Sequence, residues 1–419
     1  MIAESRAWGA VATPSEIIRQ MITWAGLDVA SGWDILEPAC GDAPFLSAIA
    51  QAYPAAGHRY WGMEINSQQT EITCLLHPAF HILTEDFLLW ETAQRFHLVI
   101  GNPPYGIVGD ASHYPIHTLK QRKAQYRQRF RTWRGKYNIY GAFIEQAVRL
   151  LQPTGRLVFI VPGTWLLLDD FQALRRFLAR EGRVVVHYMG GVFPKRLVVA
   201  VVLILERGRR GLELWDHDRL IVERDHYDGS LIRFETAETR SFESAKIPLG
   251  DIFSLHFAAR SPEFRRHPAV RTAPEPGLVP ALTGRNLRPG WIDYETAASG
   301  FWLPLEAAPT LRSFYGFPHI VVGHTKGGKV VAARDERCYP WREEIHLVPR
   351  HADTKVDESA LVAYLNSPEL NGYVRALYRD LTPHLTMTQL RLLPIPPDII
   401  ANRVYRLPLF DTAPGYATA

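Results

Sequence analysis

After the strand-like run His97–Ile100 the chain reads Gly101-Asn102-Pro103-Pro104-Tyr105-Gly106. Two consecutive prolines lock φ and remove two N–H donors, so this stretch is stiff and its carbonyls hold fixed directions. The Asn102 oxygen and the Pro103 carbonyl can together accept both hydrogens of a planar amino group, while the Tyr105 ring offers a face to a flat heterocycle. Two such acceptors draw a conjugated nitrogen toward a pyramidal geometry in which its lone pair becomes nucleophilic, so no strong base is needed. An exocyclic amine such as adenine N6 suits this chemistry. A Pro-rich turn is the structural alternative, and an Asn and a Tyr at these offsets argue against it.

A second group lies upstream. Glu37-Pro38-Ala39-Cys40-Gly41-Asp42-Ala43-Pro44-Phe45 follows a strand and opens a helix. Small residues at 39, 41 and 43 let a ligand approach the backbone, and the helix amino terminus favours a carboxylate or phosphate. The loop departs from G-x-G-x-x-G, which disfavours a dinucleotide, and Glu37 suits instead the amino group or sulfonium of a cationic ligand. Glu64 ends the second strand, where an acid can hold both hydroxyls of a ribose. Asp86-Phe87 ends the third, where the carboxylate can accept from a cofactor's adenine amino group and the ring can pack on it. Each acid alone also reads as a solvated strand end, but three in succession point to one ligand. Thr13-Pro14-Ser15-Glu16 reads as an N-cap, a Pro at the first helical position and a Glu completing a capping box, which would bring the Thr13 hydroxyl to the cofactor carboxylate.

The elements that must position these residues alternate as strand and helix. Strands are expected at Trp33–Glu37, Tyr60–Ile65, Phe80–Thr84, His97–Ile100, Leu157–Val161, Val184–Tyr188 and Val198–Leu205, with helices at Ile139–Leu151 and Asp169–Glu181. That pattern predicts an α/β first domain over 1–239, a mixed seven-stranded sheet with helices on both faces. Periodicity weakens from Glu206 to Thr239. The remainder, 240–419, is expected to form an irregular α+β second domain with a helix at Ser359–Asn366. At 419 residues, 47% hydrophobic and 21% charged, the chain is long enough for two or three cores and ordinary enough to exclude a disordered or fibrous protein. Three cysteines, Cys40, Cys74 and Cys338, make neither a disulfide framework nor a zinc site, and no metal is expected. The longest apolar run, Leu197–Leu205, is far shorter than a membrane span, and the start lacks an apolar signal core, so a cytoplasmic protein is expected.

A net charge of +4 is too small for bulk coating of nucleic acid, so any polyanion site must be local. No acid occurs between Asp110 and Glu145, whereas Lys120, Arg122, Lys123, Arg127, Arg129, Arg131, Arg134 and Lys136 supply eight positive charges. Directly after the catalytic loop, this segment reads as a phosphate-binding face; the bland reading is a solvated helix. Tyr126, Phe130 and Trp133 are expected to pack it.

Taken together, these motifs resemble the gamma class of adenine-N6 DNA methyltransferases, and most closely its TaqI-type members, over nearly the whole chain. The resemblance continues through Gly190-Gly191-Val192-Phe193-Pro194, Leu282-Thr283-Gly284-Arg285-Asn286-Leu287 and Tyr378-Arg379-Asp380-Leu381-Thr382-Pro383-His384. It implies a methyltransferase-type sheet, a carboxyl-terminal target-recognition domain, S-adenosylmethionine as cofactor and double-stranded DNA as substrate. It implies Asn102 and the Pro103 carbonyl on the target amine, with Tyr105 and Phe193 sandwiching the adenine. Thr13, Glu37, Ala39, Gly41, Glu64, Ile65, Asp86, Phe87, Asn102, Pro104 and Phe143 are then expected at the cofactor. Lys120, Arg127, Arg129, Arg134, Lys195, Arg285, Asn286, Lys326, Pro383 and His384 are expected on the DNA side, with Arg285 reading guanine and Pro383 filling the space left by a flipped base. A monomer acting on a TCGA-type palindrome follows by resemblance, with any companion restriction endonuclease acting separately. Two departures stand out: Ala43 where the family often has glycine, and an irregular stretch, Thr70–Pro78, expected to be a surface loop. The alternatives are a methyltransferase of a release-factor glutamine or a ribosomal guanine, and a noncatalytic DNA-binding protein on the same fold.

Overall fold

The computed structural model describes residues 12–27, 32–109, 115–116, 119–193, 198–324, 326–351 and 354–401. The chain divides into two compact units, Met1–Ala237 with Ala376–Thr382 and Glu238–Arg375 with Pro383–Ala419. The sequence had assigned 376–382 to the second domain; the structure returns it to the first unit. There the Tyr188 hydroxyl donates to Asp380 at 2.6 Å, Arg379 pairs with Asp216 at 2.7 Å, and the Phe234 N–H donates to the Leu377 carbonyl at 3.0 Å. These partners lie well over a hundred positions away in the chain, beyond the reach of any local pattern.

In the first unit the strands β1 (Asp34–Pro38), β2 (Arg59–Glu64), β3 (His81–Thr84), β4 (Phe96–Gly101), β5 (Leu151–Pro162), β6 (Gly182–Gly190), β7 (Ala200–Arg207), β8 (Leu212–Asp216) and β9 (Arg219–Arg224) form one mixed sheet in the order β9-β8-β6-β7-β5-β4-β1-β2-β3. From β3 across to β5 the neighbours are parallel, and β7 runs antiparallel between β5 and β6. The central strands are continuous apolar runs because helices cover both faces: Leu98, Val99, Ile100 and Leu157–Val161 are all fully buried. Helices α1 (Ser15–Ala25), α2 (Pro44–Ala52), α3 (Ser67–Leu76), α4 (Lys123–Arg129), α5 (Tyr140–Leu150) and α6 (Gln172–Glu181) provide that cover.

The sheet has nine strands where seven were expected. The additional pair, β8 and β9, is a hairpin turning at His217, which sits at φ +53°. Only Leu212, Leu214 and Val222 of this pair are buried, too few for a clear alternation within a charged segment. The expected surface loop Thr70–Pro78 is also corrected, since most of it belongs to α3. Asn66 caps that helix by accepting from the Gln68 N–H at 3.1 Å. Exposed Ile72, Leu75 and Leu76 break the amphipathic pattern that would have revealed it.

The second unit has a four-stranded antiparallel sheet, β10 (Phe253–Phe257), β13 (Ile345–Pro349), β11 (His319–Val322) and β12 (Ala332–Asp335) in that order, beside short ladders and the helix α7 (Glu358–Leu365). Its core gathers Phe264, Phe301, Tyr315, Val321 and Trp341. A buried carboxylate ties this core together. Asp335 accepts from the Trp341 indole at 2.8 Å, the Tyr294 hydroxyl at 2.9 Å and the Cys338 N–H at 3.0 Å.

The β6 residue His187 stacks on Trp24 of α1 with centroids 4.0 Å apart and on Trp215 of β8 at 5.9 Å. Burial lowers its pKa from 6.5 to about 4, so the ring is neutral in the folded chain. An unfolded chain takes up that proton near pH 6.5. Stability from this site is therefore complete above pH 6.5 and is lost as pH falls toward 4, by about 3 kcal/mol over the window. The urea midpoint should drop between pH 7 and pH 4.5, and less steeply in His187→Phe; equal slopes would place the acid sensitivity elsewhere.

Candidate cofactor and catalytic site

Strand order 3-2-1-4 brings four carboxyl-terminal strand ends to one edge of the sheet, where open α/β sheets hold ligands. The loops that follow line a cavity of about 340 Å³. Thr13, Glu37, Ala39, Gly41, Glu64, Ile65, Asp86, Phe87, Asn102, Pro104 and Phe143 all face it. Sequence reasoning missed Asp42, Phe45, Met63, Glu85, Leu88 and Leu119, which also face it. Asp42, Phe45 and Glu85 adjoin residues that were singled out, whereas Leu119 comes from the basic segment and gave no local signal.

The turn after β1 runs left-handed at alternate positions, with Ala39 at φ +53°, Gly41 at +55° and Ala43 at +54°. Gly41 adopts this conformation without steric cost, Ala39 and Ala43 each hold a Cβ close to the following carbonyl, and the small side chains leave the backbone open to a ligand. The Glu64 carboxylate fixes the turn, accepting from the Gly41 N–H at 3.0 Å and the Asn66 N–H at 2.9 Å. From α3 the Thr73 hydroxyl donates to the Gly41 carbonyl at 2.6 Å.

Glu37 is 2% exposed and accepts from the Leu46 N–H at 3.0 Å. The amino terminus of α2, expected to face an anionic ligand, is thus already met by a carboxylate of the chain itself. Burial raises the Glu37 pKa well above the usual range, against the lowering effect of these backbone N–H groups. A cation beside it would stabilise its charged form. Phe87 and Phe143 lie 5.2 Å apart, tilted by 30°, and give the cavity an aromatic wall.

The expected capping box at Thr13 does not form. Helix α1 begins at Ser15 after Pro14 with no side-chain cap, and Glu16 pairs with Arg19. The Thr13 hydroxyl accepts instead from Asn102 Nδ2 at 2.9 Å, so a residue far upstream orients the amide. The Asn102–Tyr105 loop is anchored further on. The Tyr105 hydroxyl donates to the Ile160 carbonyl at 3.0 Å, and the Gly106 N–H donates to Asn138 Oδ1 at 2.9 Å. Tyr105 and Phe193 are both buried with centroids 6.0 Å apart and ring planes at 69°. Here the two rings touch each other edge to face, whereas a sandwich around a base takes parallel faces about 7 Å apart.

The basic segment is only partly free. Arg122 pairs with Asp86 at 2.7 Å, and Arg129 pairs with Glu91 at 2.8 Å while donating to the Trp90 carbonyl at 3.1 Å. Lys120, Arg127, Arg131, Arg134 and Lys136 are exposed. Tyr126, Phe130 and Trp133 are buried and pack the segment. Lys195 lies outside the described residues.

In the second unit Arg285 is exposed and lines a cavity of about 220 Å³ with Thr283, Gly284, Arg342, Glu343 and Glu344. The expectation for Asn286 is corrected, because its side chain is fully buried with every hydrogen-bonding position used. Its oxygen accepts from the Thr283 N–H at 2.9 Å and the Thr283 hydroxyl at 3.2 Å, and its nitrogen donates to the carbonyls of Asp293 at 2.8 Å and Thr296 at 2.7 Å. Lys326 is corrected likewise, since its ammonium holds the carbonyls of Gly284 and Leu287. Pro383 is exposed, and the His384 ring lies 5.4 Å from that of His324.

Two family models match the chain, the Eco57I restriction-modification methylase over residues 58–191 and the TaqI-like C-terminal specificity domain over residues 279–395. The chain is 52% identical over 400 residues to the Type II methyltransferase M.TthHB8I of Thermus thermophilus, covering 94% of this chain and 92% of that protein. Two solved structures share the fold. One is a nuclease-deletion mutant of the Type ISP restriction-modification enzyme LlaGI in complex with a DNA substrate mimic, with TM-score 0.53 and 13% identity over 90% of this chain and 53% of that one. The other is the DrdV–DNA complex, with TM-score 0.50 and 15% identity over 82% of this chain and 50% of that one. The chain spans about half the length of these two structures. Among the described residues no helix is long and apolar enough to cross a membrane.

The turn after β1 generates a prediction. Glu64→Ala removes the acceptor for two backbone N–H groups and should cost about 1 to 3 kcal/mol. Hydrogen exchange at the Gly41 amide should quicken by about tenfold or more, ahead of any change in the central strands. An unchanged Gly41 rate would show that the turn holds itself.

Proposed function

This chain belongs to the TaqI-type family of type II restriction-modification DNA methyltransferases, and we propose that it methylates N6 of an adenine flipped out of duplex DNA within a TCGA-type palindrome, using S-adenosylmethionine. The observation that carries this reading is the Asn102 amide, oriented by Thr13 at 2.9 Å beside a cavity rich in carboxylates. Glu37, Asp42, Glu64, Glu85 and Asp86 line that cavity, an unsuitable set for a polyphosphate and a fitting one for a cationic cofactor with an amino group, ribose hydroxyls and a flat base. S-adenosylmethionine supplies an electrophilic methyl group when bound. The match to a TaqI-like specificity domain supports DNA over a release factor or ribosomal RNA as the substrate.

In this reading Glu37 takes the amino acid ammonium, Glu64 the ribose, and Phe87 and Phe143 the adenine ring of the cofactor. Asn102 Oδ1 and the Pro103 carbonyl accept the two hydrogens of the target amine. The Thr13 hydroxyl on Nδ2 fixes the rotation of the amide that carries this oxygen. Extrusion of the adenine costs a few kcal/mol, offset by stacking on Tyr105 and Phe193. Tyr105 is pinned through its hydroxyl to Ile160, so Phe193 is the ring that gives way. The exposed cations Lys120, Arg127 and Arg134 meet phosphates, Arg285 reads a guanine edge, and Pro383 with His384 fills the space left by the base. The enzyme acts as a monomer in the cytoplasm, and any companion endonuclease is a separate protein.

Two measurements test this. Asn102→Ala should slow single-turnover methyl transfer about a hundredfold or more and leave cofactor affinity within about threefold; near-normal transfer would sink the assignment. On the DNA side, Arg127→Gln should lower the slope of log K against log salt by about 0.9. Arg129→Gln should leave the slope unchanged, because that guanidinium is already paired with Glu91. Equal effects at both positions would refute the division of this segment into free and committed cations.

A further inference from the structure

Asp86 receives three hydrogen bonds. Its Oδ1 accepts from the Leu88 N–H at 3.0 Å, and its Oδ2 accepts from Arg122 Nη1 at 2.7 Å and from the Tyr126 hydroxyl at 2.6 Å. A carboxylate offers about four acceptor positions, two on each oxygen. Oδ2 is therefore saturated, and one position remains, on Oδ1. Both donors to Oδ2 come from the segment read from sequence as a phosphate-binding face: Arg122 from the turn Lys120–Arg122 and Tyr126 from α4. That segment is also a wall of the cofactor cavity, since Leu119, just ahead of the turn, lines it with Asp86 and Leu88. Tyr126 is fully buried, and the adjoining contacts of Arg129 with Glu91 and the Trp90 carbonyl fasten the same loop at a second point.

We infer that Arg122 and Tyr126 are positioning residues for the cofactor base: by occupying Oδ2 they fix the rotation of the Asp86 carboxylate and leave Oδ1 as a single acceptor for the exocyclic amino group of adenine. This rests on the reading of Asp86 as the adenine acceptor. A carboxylate oxygen accepts from an amino group and has nothing to donate to a carbonyl at the same position of the purine. Selectivity for a 6-amino purine thus comes from two residues that do not touch the base.

The test measures equilibrium binding of S-adenosylhomocysteine and of S-inosylhomocysteine, in which a carbonyl replaces the amino group, to the wild type, Arg122→Gln and Tyr126→Phe. Wild type should prefer the adenosyl compound by more than about tenfold. Each variant should bind it about fivefold to tenfold more weakly while its affinity for the inosyl compound changes by less than about twofold, so the preference narrows. A general loosening of the cavity lowers both affinities together and leaves the preference intact. A wild type that discriminates, with both variants discriminating as strongly, overturns the inference alone. A wild type that binds both compounds equally overturns the assignment of Asp86, and the inference with it.

Discussion

Glu37 is a carboxylate almost without contact with water, placed where β1 ends and α2 begins. Burying such a group is unfavourable unless donors surround it, and here the first amides of α2 provide them. The arrangement fixes the entry of α2, closes its amino terminus to outside anions and leaves a charge-poised group at the floor of the cavity. The left-handed turn at 39–43 follows from the same requirement, because the chain must reverse within a few residues to bring the Leu46 amide back over Glu37. Glu64 and Thr73 hold that turn from β2 and α3. One buried acid at a strand end thereby organises the part of the site that faces the cofactor.

The segment between β4 and β5 shows how a stretch rich in cations can serve two purposes. Eight positive charges without an acid would repel one another if all were turned to solvent. Two of them are instead paired with acids of the loop after β3, Arg122 with Asp86 and Arg129 with Glu91, and three buried aromatic rings pack the segment. The remaining cations stay exposed on a surface whose foundation is the cofactor loop itself. Local electrostatics at the cavity and at this exposed cationic surface are therefore built from one stretch of chain.

In the second unit, polar side chains that look like recognition residues are spent on shaping loops. Asn286 closes the turn from Thr283 to Thr296, and the Lys326 ammonium bridges two carbonyls of the same region. Their consequence is the exposed Arg285 at the tip of that turn, held by its N–H to the Thr283 hydroxyl at 3.2 Å. The backbone that carries this guanidinium is thereby fixed before any ligand arrives, so little chain freedom remains to be lost on binding.

The sequence by itself determined the parallel strands, because doubly buried strands must be continuous apolar runs, and Leu98–Ile100 and Leu157–Val161 carry that pattern locally. It also determined the residues around the cavity, because chemistry constrains residue type as well as position: a Pro-Pro flanked by Asn and Tyr, and acids ending successive strands, are legible without neighbours. The tertiary structure decided whatever depends on partners distant in the chain. Thr13 reads as a helix cap until Asn102 comes within hydrogen-bonding distance, Arg122 reads as a phosphate ligand until Asp86 meets it, and Asn286 reads as a donor for DNA until four backbone and side-chain partners use it up. The hairpin β8–β9 and the return of 376–382 to the first unit were equally invisible, since each is stabilised by contacts with strands that its own residues do not encode. A sequence pattern reports the period of burial and the chemistry available; which acceptor a given donor finds is settled only when folding brings the two together.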